Sequence, residues 1–239
     1  MHILRLTSLI FALGMLVSKL FAVPTFPVQQ SGDEKNSRTY QVQPFTKIHL
    51  EGAYNVILEQ GSQPGLRIET DEDNFKYIEV NSSAESLSLR VTKKHFNFDK
   101  MTLYITFKDL EKLEIEGGIC LETKGYVELK DFYFQVSGGA SIEMNMKANR
   151  VRLIGEGGVK IEFNGVAEEL DASISGAGYL NATDLKTRRT NCRLEGACAA
   201  SVYATEWLDA SISGVGKIRY KGDPQVHKRI EGIGLVSND

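Results

Sequence analysis

Leu170-Asp171-Ala172-Ser173-Ile174-Ser175-Gly176 returns unchanged at Leu208 to Gly214, 38 residues later. Its last two residues open a motif that recurs more often: Glu or Ser, then Gly, then a small or apolar residue. The motif reads Glu116-Gly117-Gly118, Ser137-Gly138-Gly139, Glu156-Gly157-Gly158, Ser175-Gly176-Ala177, Glu195-Gly196-Ala197, Ser213-Gly214-Val215 and Glu231-Gly232-Ile233. Its first residues lie 21, 19, 19, 20, 18 and 18 positions apart. A fixed period of this size marks a solenoid, in which each coil buries its apolar face only against its neighbours. The strict alternation of Glu and Ser, with the repeated heptad, points to duplication of a two-coil unit.

Within each repeat the apolar residues alternate. Phe132, Phe134 and Val136 share a phase with Leu170, Ala172 and Ile174, and with Leu208, Ala210 and Ile212. Residues two apart on a strand share a face, so these columns point inward and stack coil on coil. The inward set resumes after the motif with Ile119 and Leu121, Ala140 and Ile142, Val159 and Ile161. Gly117, Gly138, Gly157, Gly176, Gly196, Gly214 and Gly232 are the expected corners, where the chain needs a φ that other residues resist. Coils of 18–21 residues suit three short strands joined by tight corners. A zigzag of antiparallel hairpins would need turn dipeptides that the repeats lack. A left-handed hexapeptide helix would need an aliphatic residue every six positions, a sub-period the chain does not keep. The expected fold is all-β, a right-handed parallel β-helix.

The remaining chain frames this solenoid. Residues 1–22 read as a secretory signal: Arg5 is the basic start, Leu6 to Val17 the short apolar core, and Ala22 a small last residue. No later apolar segment has membrane-spanning length. Residues 23–39, polar and carrying Pro24, Pro27 and Ser31-Gly32, read as a flexible leader. Residues 40–109 are strand-like, as in Tyr54 to Leu58, Leu87 to Val91 and Met101 to Ile105. They already contain the motif once, at Glu51-Gly52-Ala53, so this segment leads into the solenoid or caps it. Residues 110–239 are the repeats. The tail from Lys221, with Gly222, Pro224 and Lys228, is a candidate to blunt the far end.

The chemistry is sparse. A net charge of -3 gives no footprint for nucleic acid. Cys120, Cys192 and Cys198 are an odd number; Cys192 and Cys198 either face each other within one coil as a disulfide or are small buried hydrophobes. The histidines are scattered, no Gly-x-Ser-x-Gly elbow exists, and no Gly-Lys-Ser/Thr follows the glycine pairs. Glu122, Glu143 and Glu162 occupy one phase of successive coils, a ladder of carboxylates about 4.8 Å apart. Either a cation such as Ca²⁺ bridges them or they splay into water. Glu116, Glu156, Glu195 and Glu231 recur on alternate coils, about 10 Å apart by the same spacing. A column generated by repetition gives no reason for one member to be an acid and the next a base, so no catalytic residue is assigned. Tyr179, Tyr203, Trp207 and Tyr220 follow the corners. They either offer faces for a sugar ring or protein partner, or cover a side of the solenoid.

The chain also resembles a known bacterial family. The residues that carry the likeness are Phe45-Thr46-Lys47-Ile48 with Glu51-Gly52-Ala53-Tyr54-Asn55-Val56-Ile57, corners such as Ser175-Gly176-Ala177-Gly178, and the closing Gly216 to Val226 with Gly232-Ile233-Gly234. Over roughly residues 45–237 it is similar to the putative auto-transporter adhesin, head GIN domain family, a domain of unknown function in Bacteroidetes. The resemblance implies a pectin-lyase-like β-helix and a role in adhesion, and supplies no catalytic residues. The expectation is therefore an exported, non-enzymatic binding or structural module without a required cofactor, at the cell surface or in the periplasm. It would bind a glycan or a surface protein. The alternatives are a periplasmic envelope scaffold and a polysaccharide-active enzyme on the same fold.

Overall fold

The repeat motif becomes a column of stacked corners. The computed structural model describes residues 36–92 and 100–239; the expected signal at 1–22, and the expected leader up to residue 35, lie outside them. From Lys112 the chain winds as a parallel β-solenoid, which with its first rung makes about 7 turns. Its strands are β7 (Lys112–Glu128), β8 (Asp131–Gly138), β9 (Ser141–Gly157), β10 (Lys160–Gly176), β11 (Tyr179–Lys221) and β12 (Gln225–Asn238). All pair parallel in chain order.

Gly52 and the seven motif glycines have φ between +94° and +136°. A Cβ on any of the seven would sit 2.1 to 2.9 Å from the carbonyl oxygen of the glycine one rung earlier. Glycine is thus required twice, by conformation and by the closeness of the neighbouring backbone. The inward phase breaks at two further places per coil. After Val159, Ile161 and Phe163 it lapses at Asn164 to Val166, and after Ala167 it lapses again at Glu168 and Glu169. The first of these breaks carries Gly165 with φ +118° and an amide ladder, Asn164 Nδ2 donating to Asn145 Oδ1 at 3.1 Å. Three stretches per coil are what the period required.

Side chains flanking the glycine corner trade volume. Gly155 faces Val159, Ile174 faces Gly178 and Ile212 faces Gly216, so one member is large where the other is small. A Cβ on Gly155 would lie 2.9 Å from Ile174 Cδ1, and one on Gly178 only 2.2 Å from Ile174 Cγ2. The interior holds a fixed volume per rung and no more. Cys192 and Cys198 are free thiols in this interior. Full burial pushes the Cys192 thiol up to about 12.

The N-terminal segment is a cap with its own topology. It contains β1 (Asn36–Tyr40), β2 (Lys47–Gln60), β3 (Gly65–Thr70), a short 3-10 helix (Glu72–Tyr77), β4 (Ile78–Ser82), β5 (Ser86–Val91) and β6 (Thr102–Phe107). Strand pairing begins at Asn36, so the last residues of the expected leader are strand. β2 lies against β7 on one side, and on the other against β5 along its first half and β6 along its second. The chain therefore lays its second rung beneath the first and then crosses over to continue upward. β4 closes β5 antiparallel, and β3 with β1 closes β6 antiparallel. Tyr54 pins this end: it is fully buried and its hydroxyl donates to the Leu89 carbonyl at 3.4 Å.

The other end has no such cover among the described residues. The expected blunt tail is instead one more rung, β12. Lys228 is the register partner of Ala210, which is fully buried, so Lys228 starts from an inward position. Its ammonium donates to the Val236 carbonyl across the open end at 3.5 Å.

Candidate functional site

The solenoid turns its outward residues into columns, and each sequence candidate belongs to one. The motif column runs Glu116, Ser137, Glu156, Ser175, Glu195, and continues with Ser213 beside Glu231. Serine spacers keep like charges two rungs apart, which removes the repulsion of directly opposed carboxylates. The one adjacent pair, Glu51 beside Glu116, is relieved by Arg90, whose Nε lies 3.0 Å from Glu51.

Glu122, Glu143 and Glu162 are register neighbours, as their phase required. Their side chains do not converge: among the described residues no three His, Cys, Asp or Glu gather closely enough to hold a metal ion. The next rung replaces the carboxylate with Asn181.

The four aromatics are not brought together. Tyr203 is half-buried against Gly222, with its carbonyl accepting from Thr187 Oγ1 at 2.7 Å. Tyr220 is half-buried and packed on the core. Tyr179 and Trp207 are exposed, in different surroundings.

Tyr179 borders a shallow apolar groove that follows the glycine corner along the solenoid axis. One wall is the third motif residue, Gly158, Ala177, Ala197, Val215 and Ile233, growing in size toward the C-terminal end. The other wall carries Lys160, Tyr179, Ala199, Lys217 and Leu235. The floor is Val159 and Cys198, with bare backbone at the inward glycines Gly178, Gly216 and Gly234. Ile233 is 75% exposed, and Val215 and Leu235 are more than half exposed. Sequence reading missed this groove, although the increasing size of the third motif residue was its signal.

Trp207, 40% exposed, borders a different cleft with Arg189, Asn191, Asp209 and Asp171. Glu206 joins Arg189 and Trp207 at its rim. The charges here are mutually paired. Arg150 Nε binds Glu169 at 2.9 Å, with Arg189 3.9 Å from the same carboxylate. Arg193 binds Asp171 at 3.0 Å, and Arg188 bridges Glu206 at 2.8 Å and Glu168 at 3.0 Å. Hydrogen bonds from Arg188 hold the Glu206 carboxyl below the usual carboxylate range. The Oδ1 of Asn191 is buried without a hydrogen-bond partner.

Residues 44–224 match the family described as putative auto-transporter adhesin, head GIN domain. No curated protein matches the sequence. The fold is shared with solved structures. A putative adhesin from Bacteroides fragilis superposes with a TM-score of 0.82 at 23% identity, over 86% of this chain and 97% of that one. A putative lipid binding protein from Parabacteroides distasonis gives 0.65 at 23% identity, over 87% and 98%. A putative adhesin from the same species gives 0.67 at 24%, over 86% and 97%.

Proposed function

Starting from the fact that the chain belongs to the head GIN domain family, we propose that it is an exported, non-catalytic adhesion module that grips a partner protein along its corner groove. The observation that carries this reading is the exposed apolar strip of Tyr179, Val215, Ile233 and Leu235. Exposed apolar residues that adjoin one another on a surface mark an interaction site, whereas scattered ones do not. The scaffold beneath is rigid, because each corner is fixed by glycine stacking, so the strip is held ready without an ordering cost. Glu122 and Glu143 share a shallow cleft with Tyr104 and Ser141, but neither glutamate column favours an enzyme, because nothing there sets one carboxylate as the acid and the other as the base.

The experiment combines location with contact. Intact cells are treated with protease and the protein's survival is compared with that in lysed cells. The adhesion reading expects loss on intact cells. It also expects the Val215→Ser/Ile233→Ser double variant to weaken adherence about tenfold, as removal of central apolar anchors does. Both side chains face solvent, so the variant keeps its fold. Survival until lysis would overturn adhesion in favour of a periplasmic scaffold.

A further inference from the structure

We infer that the cleft beside Trp207 is a binding subsite for one unit of a neutral saccharide. It lies apart from the corner groove and needs only the premise that the molecule binds ligands at its surface.

The cleft combines one apolar platform with a polar surround. The indole of Trp207 is the exposed apolar surface, and the side chains around its edge are Arg189, Glu206, Asp209 and Asn191. A protein anchor would be met by apolar walls around the ring. A sugar is met by this arrangement instead, since the apolar C–H face of the ring lies on the indole while its hydroxyls reach donors and acceptors at the edge. The charge pattern selects a neutral unit. Each guanidinium around the cleft already faces a carboxylate: Arg150 and Arg189 share Glu169, Arg152 and Arg193 share Asp171, and Arg188 lies between Glu168 and Glu206. An anionic sugar would compete with these carboxylates for the same guanidiniums. A neutral one hydrogen-bonds to the paired groups as they stand.

Asn191 supplies an independent sign. Its Oδ1 is buried in the cleft wall without a partner. An unmatched buried acceptor is costly, and buried polar groups in folded proteins are otherwise nearly always satisfied. A small turn of the amide would present it to a hydroxyl seated on Trp207. The ligand would then repair a cost that the free protein bears.

Trp207 is the single tryptophan of the chain, so indole emission reports this cleft alone. The full chain is titrated with cellohexaose, xylohexaose and mannohexaose, with hexagalacturonate as the anionic comparison. The inference expects saturable change in emission with at least one neutral oligosaccharide and none with hexagalacturonate. By calorimetry, Trp207→Ala should weaken that binding about tenfold, the usual worth of an aromatic platform, and Asn191→Ala should weaken it less. No change with any neutral oligosaccharide at millimolar concentration overturns the inference, as does preference for hexagalacturonate or undiminished binding by Trp207→Ala. Val215→Ser/Ile233→Ser separates the two readings: sugar binding retained in that variant supports a distinct subsite, and sugar binding lost with it transfers the ligand to the groove and overturns this one.

Discussion

One interior column runs the length of the solenoid, and its two ends are treated differently. At the N-terminal end it finishes at Leu89, fully buried; at the C-terminal end it finishes at Ile230, 41% exposed. Leu89 is covered because β4 turns back antiparallel onto β5 and the Tyr54 hydroxyl ties the rung down. Ile230 has no rung beyond it among the described residues. The same column there carries no cover, and the next inward position holds a cation, Lys228. The first end is closed by extra chain. The second carries no such chain among the described residues, and there an inward charge at the sheet edge opposes further pairing. A solenoid needs both ends managed, and a cap is only one way to do it.

The largest expected effect tests whether the ends differ in strength. Leu89→Ala should cost about 3 kcal/mol, the range for emptying a sealed site. Ile230→Ala should cost about 1 kcal/mol or less, because water already reaches the side chain. Denaturant unfolding followed by hydrogen exchange checks both. Repeat proteins lose rungs singly, so exchange should be faster in β12 than in β5 before either substitution. Equal losses at the two sites would erase the comparison.

A second substitution asks whether Lys228 guards the open end. Lys228→Leu restores an apolar residue to the interior column and removes the ammonium from the Val236 carbonyl. The unpaired edge of β12, with Ile230, Ile233 and Leu235 beside it, should then pair with a second copy. Sedimentation should show association strengthened by about tenfold or more, since pairing of a second copy onto this edge would otherwise have to bury the ammonium. Unchanged association would mean that the edge is protected by shape alone.

These ends also mark where the sequence stops being readable. The glycine corners, the coil length and the phase of Glu122, Glu143 and Glu162 followed from periodicity, because a column repeats its chemistry at every rung. The cap did not, since only Gly52 carries the motif there and nothing in the spacing says that β7 passes over the β5–β6 rung to reach β2. Lys228 was singled out as part of a blunting tail, but its inward position depends on a register that only the pairing with Ala210 reveals. The groove was not legible from the corner glycines. Gly178, Gly216 and Gly234 are interior positions emptied because Ile174 and Ile212 fill the space. The size exchange between residues four apart was the available signal. The aromatics could be assigned outward or inward by phase, but phase does not place them on a common face, and Tyr179 and Trp207 fall in separate sites.

The smallest expected effect concerns the rungs between the ends, where a cation has neighbours on both sides. Lys228 faces an open end, whereas Arg188 stands between Glu168 and Glu206 and bonds to both. Arg188 stays charged throughout, its guanidinium pushed further up by the two carboxylates. The pH dependence therefore comes from the carboxylates. The Glu206 carboxyl is held low in the folded protein, chiefly by its hydrogen bond from Arg188. A depressed folded value means the contribution is complete above the ordinary glutamate range and disappears as pH falls through the folded value. All three groups are exposed, so water and salt screen the ladder and the effect is slight. The melting temperature of Arg188→Ala should lie slightly below that of the natural chain at neutral pH. The gap should close in acid, once the pH has fallen below the ordinary range of glutamate and through the lowered folded value of Glu206, and should narrow in high salt. A gap that persists in acid would assign the role of Arg188 to the packing of its aliphatic stem against the rungs on either side.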